Sequence, residues 1–142
     1  MSLNILKLCV GAESLDDLQF WSKQRLADMA ANQEEMQLYH TTRMVPKRVD
    51  ELLDGGSLYW VIKGQIQARQ KLVDIRPFVD GEGIRRCKLM LDNEVVPTQW
   101  HPKRAFQGWR YLKMDEAPSD LGKSEAGLPV HLRSELAELG LL

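Results

Sequence analysis

The side chains best equipped to grip a phosphate in this chain are Arg69 with Lys71 and Arg86 with Lys88, each pair spaced two residues apart in a strand-like segment. A period of two sends both members of a pair to the same face of a sheet, where a guanidinium and an ammonium can neutralise successive phosphates. Ile66, Ala68 and Leu72 mark the buried side of the first segment, and Cys87, Leu89 and Leu91 that of the second. If the two segments form a hairpin, the four cations share a face. Like charges stacked across strands are mildly destabilising, and an anionic partner would relieve them. The competing account is a solvated face screened by Asp74 or by the C-terminal segment. On the binding account Arg43 and Arg110 flank the site, and Tyr59 or Trp109 stacks a flat base.

His40-Thr41-Thr42-Arg43 offers a different chemistry. A strand that presents His40 and Thr42 on one face is similar to half of the phosphate-holding unit of two-histidine phosphoesterases. Neither His101-Pro102-Lys103 nor His131-Leu132-Arg133 supplies the second half. An imidazole titrates near neutral pH, so His40 with Arg43 in a pocket beside Trp60 is a candidate catalytic pair for a phosphorylated small molecule or nucleotide. Between Met36, Leu38 and Met44, His40 reads first as a satisfied core histidine and only second as a catalytic one. Three histidines and two cysteines without paired spacing give no metal site, and no cofactor motif is present. Gly55-Gly56 follows a helix end instead of opening a helix, which makes it a cap and turn, not a phosphate loop.

These residues must be held by an α+β domain. Asn4 to Val10 reads as a strand ending at Gly11, and Ser14 is a good cap for an N-terminal helix with Asp16 and Asp17 in its first turn. Met36 to Met44 alternates as a strand. Pro46 suits the first position of a short central helix through Val49, Leu52 and Leu53. Ser57–Lys63, Gln65–Arg76, Ile84–Leu91 and Glu94–Trp100 are strands, with turns at Gly64, at Asp80-Gly81 and, as a two-residue hairpin, at Asp92-Asn93. Phe106–Lys113 is a further strand candidate, and Pro129–Leu141 a C-terminal helix. Consecutive strands with short turns imply an antiparallel sheet, open or closed into a barrel.

Charge is polarised along the chain. Residues 43–113 carry 14 basic and 8 acidic side chains, +6 net, against −3 before them and −4 after them, for −1 in all. That total excludes a uniformly basic polyanion binder; any polyanion must meet one face. At 142 residues and 44% hydrophobic, the chain suits one domain over 1–142, with 115–127 a surface loop or linker. No apolar run reaches the roughly 18 residues of a spanning helix and no export signal is read, so a cytoplasmic protein with two buried thiols, Cys9 and Cys87, is expected.

His40-Thr41-Thr42-Arg43, Tyr59-Trp60-Val61-Ile62-Lys63-Gly64, Arg69-Gln70 and Phe106-Gln107-Gly108-Trp109-Arg110-Tyr111-Leu112 together resemble an uncharacterised family of small bacterial proteins known only as a domain of unknown function. That resemblance implies no activity, cofactor or site residue. Val49–Gly56 followed by Tyr59–Lys63 and Gln65–Arg76 is similar in order to PUA-like modules, ASCH modules among them. The likeness implies a curved, barrel-like antiparallel sheet that meets RNA. The expected function is therefore binding of RNA or another phosphate-bearing ligand on a basic sheet face. An enzyme acting on a phosphorylated small molecule or nucleotide is the alternative, and a protein-interaction module or homodimer is the third.

Overall fold

Leu3–Leu8 forms strand β1, buried over its first four residues, and Gly11 at φ +89° turns the chain into helix α1, Leu15–Ala31. Ser14 caps that helix: its Oγ accepts the Asp17 N–H at 3.3 Å, and Asp16 and Asp17 sit at the positive end of the helix dipole. Then follow β2 (Tyr39–Thr42), α2 (Val49–Leu52), β3 (Ser57–Ile62), β4 (Gln65–Val79), β5 (Arg85–Leu91), β6 (Val96–Pro102), β7 (Trp109–Lys113) and a single 3-10 turn at Met114–Glu116. The computed structural model describes residues 2–104 and 106–121. The helix expected over Pro129–Leu141, and residues 122–127 of the expected 115–127 loop, lie outside the described residues.

The sheet is mixed and open. β1 pairs parallel with β3, with Ile5 opposite Leu58 and Leu8 opposite Val61, while every other ladder is antiparallel. The all-antiparallel expectation fails at this pair because α1, β2 and α2 intervene between β1 and β3, and a crossover of that length permits a parallel return. Along the path β2-β5-β4-β3-β1-β7, with β6 on β4, the two end strands do not meet, so the sheet does not close into a barrel.

Three local readings shift. The strand around His40 is confined to Tyr39–Thr42, because Asn93 holds the preceding segment by accepting from the Leu38 N–H and donating to the Met36 carbonyl. Pro46 lies before α2 instead of opening it. Asp92-Asn93 does not make a hairpin: β5 and β6 both run antiparallel along β4, from Val79 back to Leu72 and from Arg69 back to Gln65. The turn expected at Gly64 is the tight hairpin: Lys63-Gly64, at φ +51° and +75°, is the left-handed pair a two-residue turn between β3 and β4 requires.

The core lies on both faces of β3, all six of whose residues are buried. Leu58, Trp60 and Ile62 join Leu3, Ile5, Leu15, Leu18, Leu72 and Leu89 on one side. Tyr59 and Val61 join Leu6, Ile66 and Leu112 on the other. Each large apolar side chain so buried contributes about 1.5–3 kcal/mol. No described helix is long and apolar enough to cross a membrane.

Gly56 joins α2 to β3 where backbones nearly touch. A Cβ there would lie 2.1 Å from the Leu3 carbonyl oxygen and 2.4 Å from that of Leu52, whereas one at Gly81 meets nothing within 4 Å. Gly56→Ala is therefore expected to cost more than about 3 kcal/mol or to abolish folding, and Gly81→Ala to stay within about 0.5 kcal/mol of wild type, by urea unfolding. Equal effects of the two substitutions would contradict this packing.

Candidate functional site

Where β1 ends and α1 crosses the sheet, a half-open cleft of about 180 Å³ forms. Its floor is Trp60 of β3 and Gln70 of β4, its walls are Tyr39 and His40 of β2 and Trp21, Ser22 and Arg25 of α1, and Lys7 to Val10 make its rim. Two cations, Lys7 and Arg25, face this space, and no carboxylate stands among the described residues that line it. Neither cation forms an ion pair among the described residues.

The floor is rigid. Gln70, 2% exposed, accepts from the Trp60 indole N–H at 2.8 Å and donates to the Asp92 carbonyl at 3.0 Å. Trp60 in turn meets His40 edge to face, centroids 5.2 Å apart. Arg25 lies over the Tyr39 ring at 4.9 Å, so its guanidinium is steered by a cation–π contact. Gly11 brings Trp21 onto the backbone at the rim: its absent Cβ would stand 3.4 Å from the indole.

His40 is the group this environment changes most. Burial first, then the charges of Lys7 and Arg25, hold its pKa down to about 4. At neutral pH the imidazole is uncharged, and its Nε2 is covered yet has no hydrogen-bond partner among the described residues. A neutral imidazole can give or take one hydrogen bond but is a weak base at pH 7. On the rim, burial pushes the Cys9 thiol up to about 11, which makes it a poor nucleophile. Cys9 and Cys87 are both free thiols.

The residues expected to bind a polyanion are placed otherwise. Arg69 and Lys71 stand opposite Tyr59 and Ser57 of β3, whereas Arg86 and Lys88 stand opposite Phe78 and Arg76 at the far end of β4. Seven residues of strand separate Arg69 from Arg76, on the order of 20 Å, so the four do not stack as a quartet. Asp120 grips Arg69 at 2.7 Å through both carboxylate oxygens, and Asp80 holds Arg86 at 2.5 Å. Lys88 sits between the rings of Tyr39 and Phe78 at 4.9 and 5.4 Å. Lys71 is exposed. Tyr59 and Trp109, 7% and 5% exposed, offer no free face to a base; Trp109 donates to the Met44 carbonyl and packs on Tyr111.

Arg43 is not His40's companion. It lines a separate hollow with Pro46, Lys47 and Arg85, while Arg110 is spread over the Phe106 ring at 4.9 Å. The pocket beside Trp60 exists, but Arg25 and Lys7 supply its charge. The sequence signal for them was the strand that ends at Gly11 just before a capped helix, since ligands favour the carboxyl ends of strands flanked by crossovers. Among the described residues no group of three or more histidine, cysteine or carboxylate side chains could hold a metal.

A family model described as a protein of unknown function (DUF1489) matches residues 5–142. No curated protein matches the chain, and no solved structure does.

The depressed His40 pKa has a stability consequence of definite sign. Between about pH 6.5 and 4 the unfolded chain binds a proton at His40 that the folded chain refuses, so stability falls as acid is added. The full loss is on the order of 3 kcal/mol. In His40→Gln this part of the pH dependence disappears: urea unfolding at pH 7.0, 5.5 and 4.5 should show wild type losing stability faster than the variant. Parallel curves would show that His40 titrates normally.

Proposed function

The chain belongs to the DUF1489 family of proteins of unknown function, and from that footing we propose that it binds a small anionic ligand, a phosphate-bearing molecule with a flat ring, in the cleft between α1 and the sheet. The observation that carries this reading is the pair Lys7 and Arg25, without an ion-pair partner among the described residues, facing a cleft walled by Trp21, Tyr39 and Trp60. In a half-buried site such charges are screened less than on the surface, so an anion gains more from them there. The aromatic walls suit a planar ring, and the lone Nε2 of His40 supplies one hydrogen bond to fix it.

Size narrows the ligand. Drug-sized sites span about 300–1,000 Å³, so a cleft of about 180 Å³ takes a compact molecule or the head of a larger one. Binding is favoured over acid–base catalysis because an imidazole with a pKa near 4 is a weak base at neutral pH and a scarce acid. The basic sheet face gives RNA less support: two of its four cations are neutralised by aspartates and a third lies between two rings. The likeness to PUA-like modules rests on the order of α2, Gly55-Gly56, β3 and β4 and adds no residue to this cleft.

With pyrophosphate and adenosine monophosphate as probes, isothermal titration should show Lys7→Ala and Arg25→Ala each weakening binding about tenfold, the effect of losing one charge-assisted hydrogen bond. Arg43→Ala, outside the cleft, should leave affinity unchanged. Loss through Arg43 but not Arg25, or no binding of either probe, would remove the proposal.

A further inference from the structure

A second polar hollow, of about 430 Å³, opens on the other side of β3 beside Ser57, Tyr59 and Arg69. Asp120, from a later segment of the chain, stands among the residues that line it. The Arg69 Nε and Nη2 each donate at 2.7 Å to the two oxygens of Asp120, and Nη1 donates to Ser57 Oγ at 3.2 Å. Two parallel N–H···O bonds to one carboxylate is the fork that arginine offers equally to a phosphate.

Asp120 is delivered by an extended segment, not by a helix or a central strand. After the 3-10 turn the chain runs antiparallel against β6 through one isolated bridge, Thr98 with Asp120. Two backbone bonds hold it: the Gln99 N–H donates to the Ser119 carbonyl at 2.8 Å, and the Leu121 N–H donates to the Pro97 carbonyl at 3.0 Å. The Asp120 side chain is 43% exposed and that of Arg69 25%. Exposed ion pairs add little net stability, so the contact is one that a competing anion can replace. Tyr59 lies behind the pair, its hydroxyl group shifted upward by burial first and affected by both Arg69 and Asp120.

We propose that Arg69, Ser57 and Tyr59 form a second oxyanion site that Asp120 fills as an internal ligand, so that Ala117–Leu121 is a strap displaced by a phosphate-bearing ligand. This site is separate from the α1 cleft and does not rest on it. The hollow leaves room for a group larger than a carboxylate, and its lining is mainly polar: Asn4, Ser57, Tyr59, Arg69 and Ser119. A phosphate that enters replaces one fork partner by another with more charge, and the two backbone bonds to β6 are released with the strap.

The test uses the full chain with Lys7→Ala and Arg25→Ala together in every protein, which removes both cations from the cleft, and pyrophosphate at fixed ionic strength. Asp120→Asn should bind pyrophosphate about tenfold tighter than its parent, and adding Arg69→Ala should abolish the gain. Independently of any variant at the strap, pyrophosphate should speed hydrogen exchange at the Gln99 and Leu121 amides of the parent protein. Unchanged affinity in Asp120→Asn, a gain that survives loss of Arg69, or binding that leaves both amides protected would each overturn the proposal and make the pair a structural brace.

Discussion

Strand β4 pairs with β3, β5 and β6 along its 15 residues, and no other element could hold those three strands in one sheet. One straight strand cannot meet the core demands of all three. It bulges at Gln67, between the Val61–Ile66 and Trp60–Ala68 pairs, and again at Val73, between Leu72 and Asp74. Each extra residue reverses which side chains face which layer and adds a local bend. Through the first bulge Ile66 joins Tyr59 and Val61, while Ala68 joins Trp60 on the side that α1 covers. Gln70 then lies under the cleft and orients Trp60, and Arg69 turns to the opposite side to meet Asp120.

That constraint also decides what could be read from the residues alone. Element types were legible wherever local chemistry is strong: the Ser14 cap, Gly11 and Gly55-Gly56 as breaks, and Asp80 closing its turn by accepting from the Glu82 and Ile84 amides. The alternation rule assumes an unbroken pleat, so it placed Ile66 with Ala68 and aligned Arg69 and Lys71 with Arg86 and Lys88. Bulges carry no strong sequence mark here, and pairing between β1 and β3 is a long-range choice that no local signal encodes. Basic neighbours point Tyr59 toward the surface, but it fills an interior layer, which a count of charge cannot reveal.

Charge along the chain and charge in space are different quantities. Four arginines of the basic middle segment are met by carboxylates: Arg76 by Asp74, Arg86 by Asp80, Arg48 by Glu51, and Arg69 by Asp120 from the acidic end. The cations that line the cleft under α1, Lys7 and Arg25, belong to the acidic first third. Their effect is visible in His40, which burial and these two charges together keep neutral. An anion placed between them would lift part of that pressure, so the imidazole reports on the cleft's electrostatics from within it.

The central claim, that the space between α1 and the sheet receives an anion, is tested most directly by nuclear magnetic resonance on the isotopically labelled chain titrated with pyrophosphate. The account predicts shifts at the amides of Lys7 to Val10, the Arg25 side chain, the His40 ring and the Trp60 indole that persist in Arg69→Ala, with the His40 pKa rising from about 4 as the ligand saturates. Shifts clustered instead around Lys71, Arg86 and Lys88, with the His40 ring unmoved, would contradict it.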